Sequence, residues 1–138
     1  MEGIRTIPRT FKPIPLEVEA VGKKLLDAVY TVHSTLGPGL LESVYEACTA
    51  FEARKLGLHV ETQVPVPVQY QTEFIETGLR LDLWAEKLVI VEFKSVEEMH
   101  PLYDAQLLTY LKITGCRLGY LMDFNVKRLK DGIKRLVL

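Results

Sequence analysis

From Leu16 onward the apolar residues Val18, Val21, Leu25, Val29, Val32 and Leu36 return at steps of three and four, the stripe of an amphipathic helix that runs into Gly37. A second stripe begins at once. Leu41, Val44, Cys48 and Phe51 share one helical face, and Gly57 suits the left-handed position just past a helix end. Between the two lies a corner: Gly37 and Gly39 tolerate positive φ and Pro38 fixes its own φ near about −65°, so one helix stops and the angle of the next is set. Beyond Gly57 the period drops to two, with Val60, Thr62, Val64, Val66, Val68 and Tyr70 on one side of a predicted strand. Pro65 and Pro67 fall on the other parity and cannot donate ladder hydrogen bonds, which predicts an edge or bulged strand. Two more strands are expected near Phe74 to Trp84 and Leu88 to Ser95. The latter, "LVIVEFK", is apolar on both faces until Glu92 and reads as a strand buried between layers. Pro101 and Gly115 bracket a third helix over 101–114, whose Leu107, Leu108, Leu111 and Ile113 can cover a sheet. Strands near 118–124 and 133–137 complete the order.

That order is an α/β class with a mixed sheet, in one domain over residues 16–138 behind an extended, proline-bearing arm of residues 1–15. The formal net charge of −1 removes the overall basic signature of many nucleic-acid binders, so any such binding must be local. Lys127, Arg128, Lys130, Lys134 and Arg135 form the one positive concentration, either a solvated face or a seat for a nucleic-acid backbone. Cys48 and Cys116 are too few and too far apart for a disulfide framework or a paired zinc site. With no apolar stretch near the ~20 residues that span a bilayer and no signal-like start, the expectation is a cytoplasmic protein with no membrane partner. The proline-marked edge or the basic C-terminus offers a route to a homodimer.

Glu92 and Lys94 interrupt the most apolar strand, and side chains two apart share a face. Burying either charge alone would cost several kcal/mol. A salt bridge is one explanation; a third charge nearby suggests another. If Ala85, Glu86 and Lys87 form a three-residue hairpin loop, Trp84 pairs with Leu88 and Asp82 with Ile90, so Asp82 lies diagonal to Glu92 on the same face as Lys94. A four-residue loop would put Asp82 on the other side. Two neighbouring carboxylates repel unless a cation lies between them, and oxygen ligands suit Mg²⁺ or Mn²⁺ rather than zinc. A lysine beside that ion suits phosphodiester chemistry. Glu42, in the first turn after the glycine corner, sits at the positive end of its helix dipole, where capping and chemistry are both open readings.

Asp82, Glu92, Phe93 and Lys94 resemble the D-x(n)-E-x-K signature of the PD-(D/E)XK nuclease superfamily, and Gly39, Glu42 and Tyr45 resemble the GxxExxY motif that names a small family within it. His33, Tyr70, Gln106, Tyr110 and the closing "DFNVKRLKDGIKRLVL" extend the likeness over nearly everything after the arm. Leu81 stands where the superfamily name has proline. The resemblance implies a restriction-endonuclease-like α-β-β-β-α-β core with an extra N-terminal helix. It also implies a nuclease that hydrolyses DNA or RNA with Mg²⁺ or Mn²⁺. Glu42, Asp82 and Glu92 would be metal ligands assisted by the Phe93 carbonyl, and Lys94 would act on the attacking water. Gln106 and Tyr110, four apart on one helical face, would contact phosphate or water, with Tyr45 and His33 in support. The alternative is a non-catalytic module on the same fold that binds nucleic acid or protein.

Overall fold

The computed structural model describes residues 12–138. Of the expected arm, residues 1–11 lie outside the described residues, while the Lys12 and Pro13 carbonyls accept hydrogen bonds from the Arg117 guanidinium at 2.7 and 3.4 Å. Two helices come first, α1 (Leu16–Leu36) and α2 (Glu42–Lys55). Strands β1 (Val60–Pro65), β2 (Val68–Tyr70), β3 (Glu73–Ile75), β4 (Arg80–Ala85) and β5 (Val89–Lys94) follow. The chain closes with α3 (Pro101–Thr114), β6 (Leu118–Asp123), a 3-10 turn at Leu129–Gly132 and β7 (Ile133–Val137).

Five strands make one mixed sheet in the order β1-β4-β5-β6-β7. Only β5 and β6 run parallel, because α3 carries the chain back between them. On one face α1 and α2 bury Leu25, Val29, Tyr45 and Ala53 against Val91, Phe93 and Phe124. On the other, α3 lays Leu107, Tyr110 and Leu111 over Leu81, Ile90 and Leu121. This is the α-β-β-β-α-β arrangement, preceded by one helix and extended by β7.

Three expectations need correction. The strand expected over Val60 to Tyr70 is two pieces: Pro65 ends β1, Val66 N turns to Leu79 O at 2.9 Å, and β2 pairs only with β3 in a small separate hairpin. The strand expected near Phe74 to Trp84 is split for the same reason, with Gly78 at φ 77° between its halves. The edge position that the prolines demanded is where β1 lies.

The buried face of α2 is reversed from expectation. Leu41 and Phe51 are 73% and 60% exposed, whereas Tyr45, Thr49, Ala50 and Ala53 are buried. Small side chains let α2 approach its neighbours closely, and Tyr45 fills the remaining gap by stacking on Phe124 with ring centroids 4.3 Å apart. Cys48 and Cys116 are free thiols, and among the described residues no helix is long and apolar enough to cross a membrane.

Candidate active site

The β4–β5 hairpin pairs Leu83 with Val91, Trp84 with Ile90 and Ala85 with Val89, two residues away from the expected register. Ala85 is fully buried and stays in the strand, so the turn centres on Glu86 and Lys87, at φ 51° and 54°. Its loop is Glu86, Lys87 and Leu88, still odd in number. A slip of two keeps every side chain on its face, and continuing the register sets Asp82 directly opposite Glu92 instead of diagonal to it.

At that position side chains replace the ladder. Asp82 N donates to Glu92 Oε2 at 2.9 Å, and Phe93 N donates to Asp82 Oδ2 at 2.9 Å. Each carboxylate is wedged between the strands and held by a backbone N–H of the opposite strand. On the far side of β4 the ladder is interrupted too: Gln63, opposite Asp82, has φ 53°, a left-handed conformation uncommon outside glycine. That kink delivers its amide to the site, where Nε2 donates to Glu46 Oε1 at 2.7 Å and, more weakly, to Asp82 Oδ1 at 3.4 Å.

Burial dominates the electrostatics. Glu92 is 5% exposed, and burial followed by the negative charge of Asp82 pushes its carboxyl up to about 8 against the opposing pull of the Asp82 N–H and Lys94. Burial likewise raises Asp82, with the Phe93 N–H, Lys94 and Gln63 opposing. Glu46 is raised by burial first and by Asp82 last, with the Gln63 amide opposing. Tyr110 is raised by burial and then by the charges of Glu92 and Asp82, so its hydroxyl stays protonated beside them.

The other expected residues divide into two groups. Lys94 shares the face of the acid pair, its Nζ 4.5 Å from the centre of the Tyr103 ring, and it lines a depression with Gln106 on α3. Glu42 Oε2 accepts from Ser95 N at 3.2 Å, and Glu42 lines a cavity of about 340 Å³ with Ser43, Glu46, Gln63 and Asp82. Tyr45 and His33 do not meet the acids. The Tyr45 hydroxyl donates to Gly37 O at 2.6 Å and accepts from Leu40 N at 3.1 Å, which fixes the glycine corner. His33 Nε2 lies 2.8 Å from Val126 O and braces the loop after β6. Of Phe93, the side chain is core and only the backbone reaches the pair.

Sequence reasoning missed three residues. Glu46 lies one turn beyond Glu42 on the same helical face, a spacing that was visible. Gln63 gave no signal, because its role depends on a backbone kink. Asp123, 3% exposed and level with Lys94 in the parallel ladder, accepts from Val96 N at 3.2 Å and Asn125 N at 3.0 Å, tying two loops together beside the site. A separate apolar groove between α1 and α2, lined by Val32, Leu36, Cys48 and Phe51, holds none of these groups.

Among the described residues no set of three or more Asp, Glu, His or Cys side chains is grouped to cage a metal ion unaided. The acid pair nevertheless fits a hard dication. Its donors are all oxygen, and Asp82 Oδ1 and Glu92 Oε1 take no backbone hydrogen bond. A dication would also offset the burial that raises both acids and the Asp82 charge that raises Glu92 further. An α/β fold with two acids and a lysine at the opened end of its central hairpin defines the class as nuclease-like. The chain matches the PD-(D/E)XK nuclease superfamily over residues 19–136 and belongs to it. Nucleases of this superfamily generally depend on divalent metal and act on nucleic acid. No curated protein and no solved structure matches the chain.

Proposed function

We propose that the chain is a Mg²⁺- or Mn²⁺-dependent nuclease that hydrolyses phosphodiester bonds in DNA or RNA, of the group marked by the GxxExxY motif that Gly39, Glu42 and Tyr45 match. The observation that carries this reading is the exchange of hydrogen bonds between Asp82 and the β5 backbone and between Glu92 and the β4 backbone. It holds a buried and a half-buried carboxylate face to face beside Lys94, at a cost to the fold that a bound dication would offset.

Asp82, Glu92 and the Phe93 carbonyl are the residues we assign to the ion, with Glu42 and Glu46 approaching from α2. Once bound, a dication of this kind supplies Lewis-acid stabilisation of charge on phosphorus and a more acidic water. Lys94 adds an ammonium on the same face, positioned for the water or a non-bridging oxygen. Tyr110, kept protonated, and Gln106 act as hydrogen-bond donors from α3. Gln63 holds Glu46 and Asp82 to one another.

Purified protein incubated with Mg²⁺ or Mn²⁺ is expected to fragment at least one of single-stranded DNA, duplex DNA and RNA. Chelation should stop it, and Asp82→Asn should lower the rate by about a hundredfold or more. Failure to cut any of these polymers, or full activity in Asp82→Asn, would reject the proposal. Binding without cutting would instead favour a non-catalytic module.

A further inference from the structure

The five C-terminal cations are not one cluster in space. Lys134 pairs with Asp104, and Arg135 pairs with Glu19 at 2.9 Å while also donating to Tyr120 Oη. Lys127, Arg128 and Lys130 remain, in the segment between β6 and β7. Arg128 meets Asp131 at 3.3 Å with both side chains exposed, and Lys127 and Lys130 have no ion-pair partner among the described residues.

The parallel pairing decides where this trio lies. Because β6 runs with β5, Asp123 is level with Lys94, and Phe124 N donates to Lys94 O at 3.0 Å. The chain leaving β6 therefore emerges at the sheet end that holds the acid pair. Asp123 and His33 fix that exit from two sides. Lys127, Arg128 and Lys130 then wall a cavity of about 470 Å³ with Tyr30, Ser34 and Gly37.

The glycine corner that borders this cavity leads along the chain toward the acids. Three residues past Gly37, Leu40 O accepts from Ser95 Oγ at 2.8 Å, and Leu40, Glu42 and Ser43 line a second depression with Ser95. Glu42 and Ser43 also line the third, which ends on Glu46, Gln63 and Asp82. The three cations thus lie on one side of the glycine corner, and on its other side two adjoining depressions lead to a centre whose side chains are mostly acidic. A polynucleotide carries a negative charge at every residue, and such a centre repels all of them except where a dication intervenes. Its flanking phosphates need cations set to one side.

Resting on the nuclease reading above, we propose that Lys127, Arg128 and Lys130 seat the phosphates of a polynucleotide on one side of the bond to be cut, with the backbone passing over the Gly37–Gly39 corner. The same cations lie beside the C-terminus of α1, where they also complement its dipole, so stability must be followed alongside binding.

The test is fluorescence anisotropy of labelled 20-nucleotide DNA and RNA single strands and the DNA duplex, in chelator so that nothing is cut, across a NaCl series. The K127A/R128A/K130A variant is expected to bind at least about tenfold more weakly at low salt, with the slope of log K against log[salt] reduced by about 2. Lys127→Ala and Lys130→Ala alone, both at exposed positions, should each lower the slope by about 0.7 to 0.9 without moving the melting temperature. K23A/K24A, on the exposed side of α1, should leave it unchanged. Unaltered slopes in all three turn variants, or no salt-dependent binding by the parent protein, would overturn the proposal. Salt-dependent binding by a protein that never cuts would leave this seat standing and remove the nuclease reading; cutting with unaltered slopes would do the reverse.

Discussion

In metal-free protein the Glu92 carboxyl titrates near 8 instead of 4.5, chiefly because it is buried and secondly because Asp82 faces it. The folded state therefore holds a proton between those two values that the unfolded chain releases. The stability that this proton contributes is full below about 4.5, falls as pH rises through the window, and is gone above about 8. At about 1.4 kcal/mol per pH unit, the span amounts to a loss on the order of 5 kcal/mol, a large part of what holds a domain of this size together. Glu92→Gln removes the titration while its amide oxygen can still accept from Asp82 N and its NH₂ can donate to the Asp82 carboxylate. Urea denaturation followed by the single tryptophan, Trp84, in chelator from pH 5 to 9 reads the difference. The parent midpoint should fall by about 2 M and the Glu92→Gln midpoint by much less. Mn²⁺ added at pH 8 should restore the parent and not the variant. Parallel profiles for the two proteins, or a parent that gains stability from pH 5 to 8, would refute the reasoning.

Gly132→Ala would put a Cβ 2.0 Å from Asp123 O, a backbone atom beside the site that cannot step aside; a thermal melt should show a loss of about 2 kcal/mol or more, and an unchanged melt would contradict the packing described. Thr49 is fully buried with an unpartnered hydroxyl, so Thr49→Val should leave the melting temperature level or raise it by up to about 1 kcal/mol equivalent, and a clear loss would mean that the hydroxyl has a partner. Gln63→Gly relieves a left-handed backbone while cutting the link from Glu46 to Asp82. It should stabilise the protein by about 0.5–1 kcal/mol and lower nuclease activity, and a variant that loses both would deny the strain.

Much of the fold was legible because period and punctuation are local properties. The α1 stripe from Val18 to Val32, the Pro101 and Gly115 brackets of α3 and the doubly apolar β5 all took the form that their residues demanded. The charged interruption at Glu92 and Lys94 was visible for the same reason. Legibility failed where two elements compete for one surface. On α2 the larger apolar residues Leu41 and Phe51 lost the buried side to Ala50, Ala53 and Tyr45, because the width of the gap, not hydrophobicity, selected the side chains. Around Pro65 and Pro67 a run of alternating valines could not reveal that β2 would leave the sheet.

The sequence by itself determined which residues could carry charge in the core and that Glu92 and Lys94 share a face, since parity along one strand is fixed by counting; whether Asp82 joins them turned on an odd hairpin loop, which the fold supplies. Only the tertiary structure decided that Asp82 stands directly across from Glu92, that Gln63 and Glu46 complete the wall, and that Lys127, Arg128 and Lys130 emerge at the same end of the sheet. Those are matters of register, a kinked edge strand and a parallel crossover. Each depends on how distant segments pack, which no local pattern encodes.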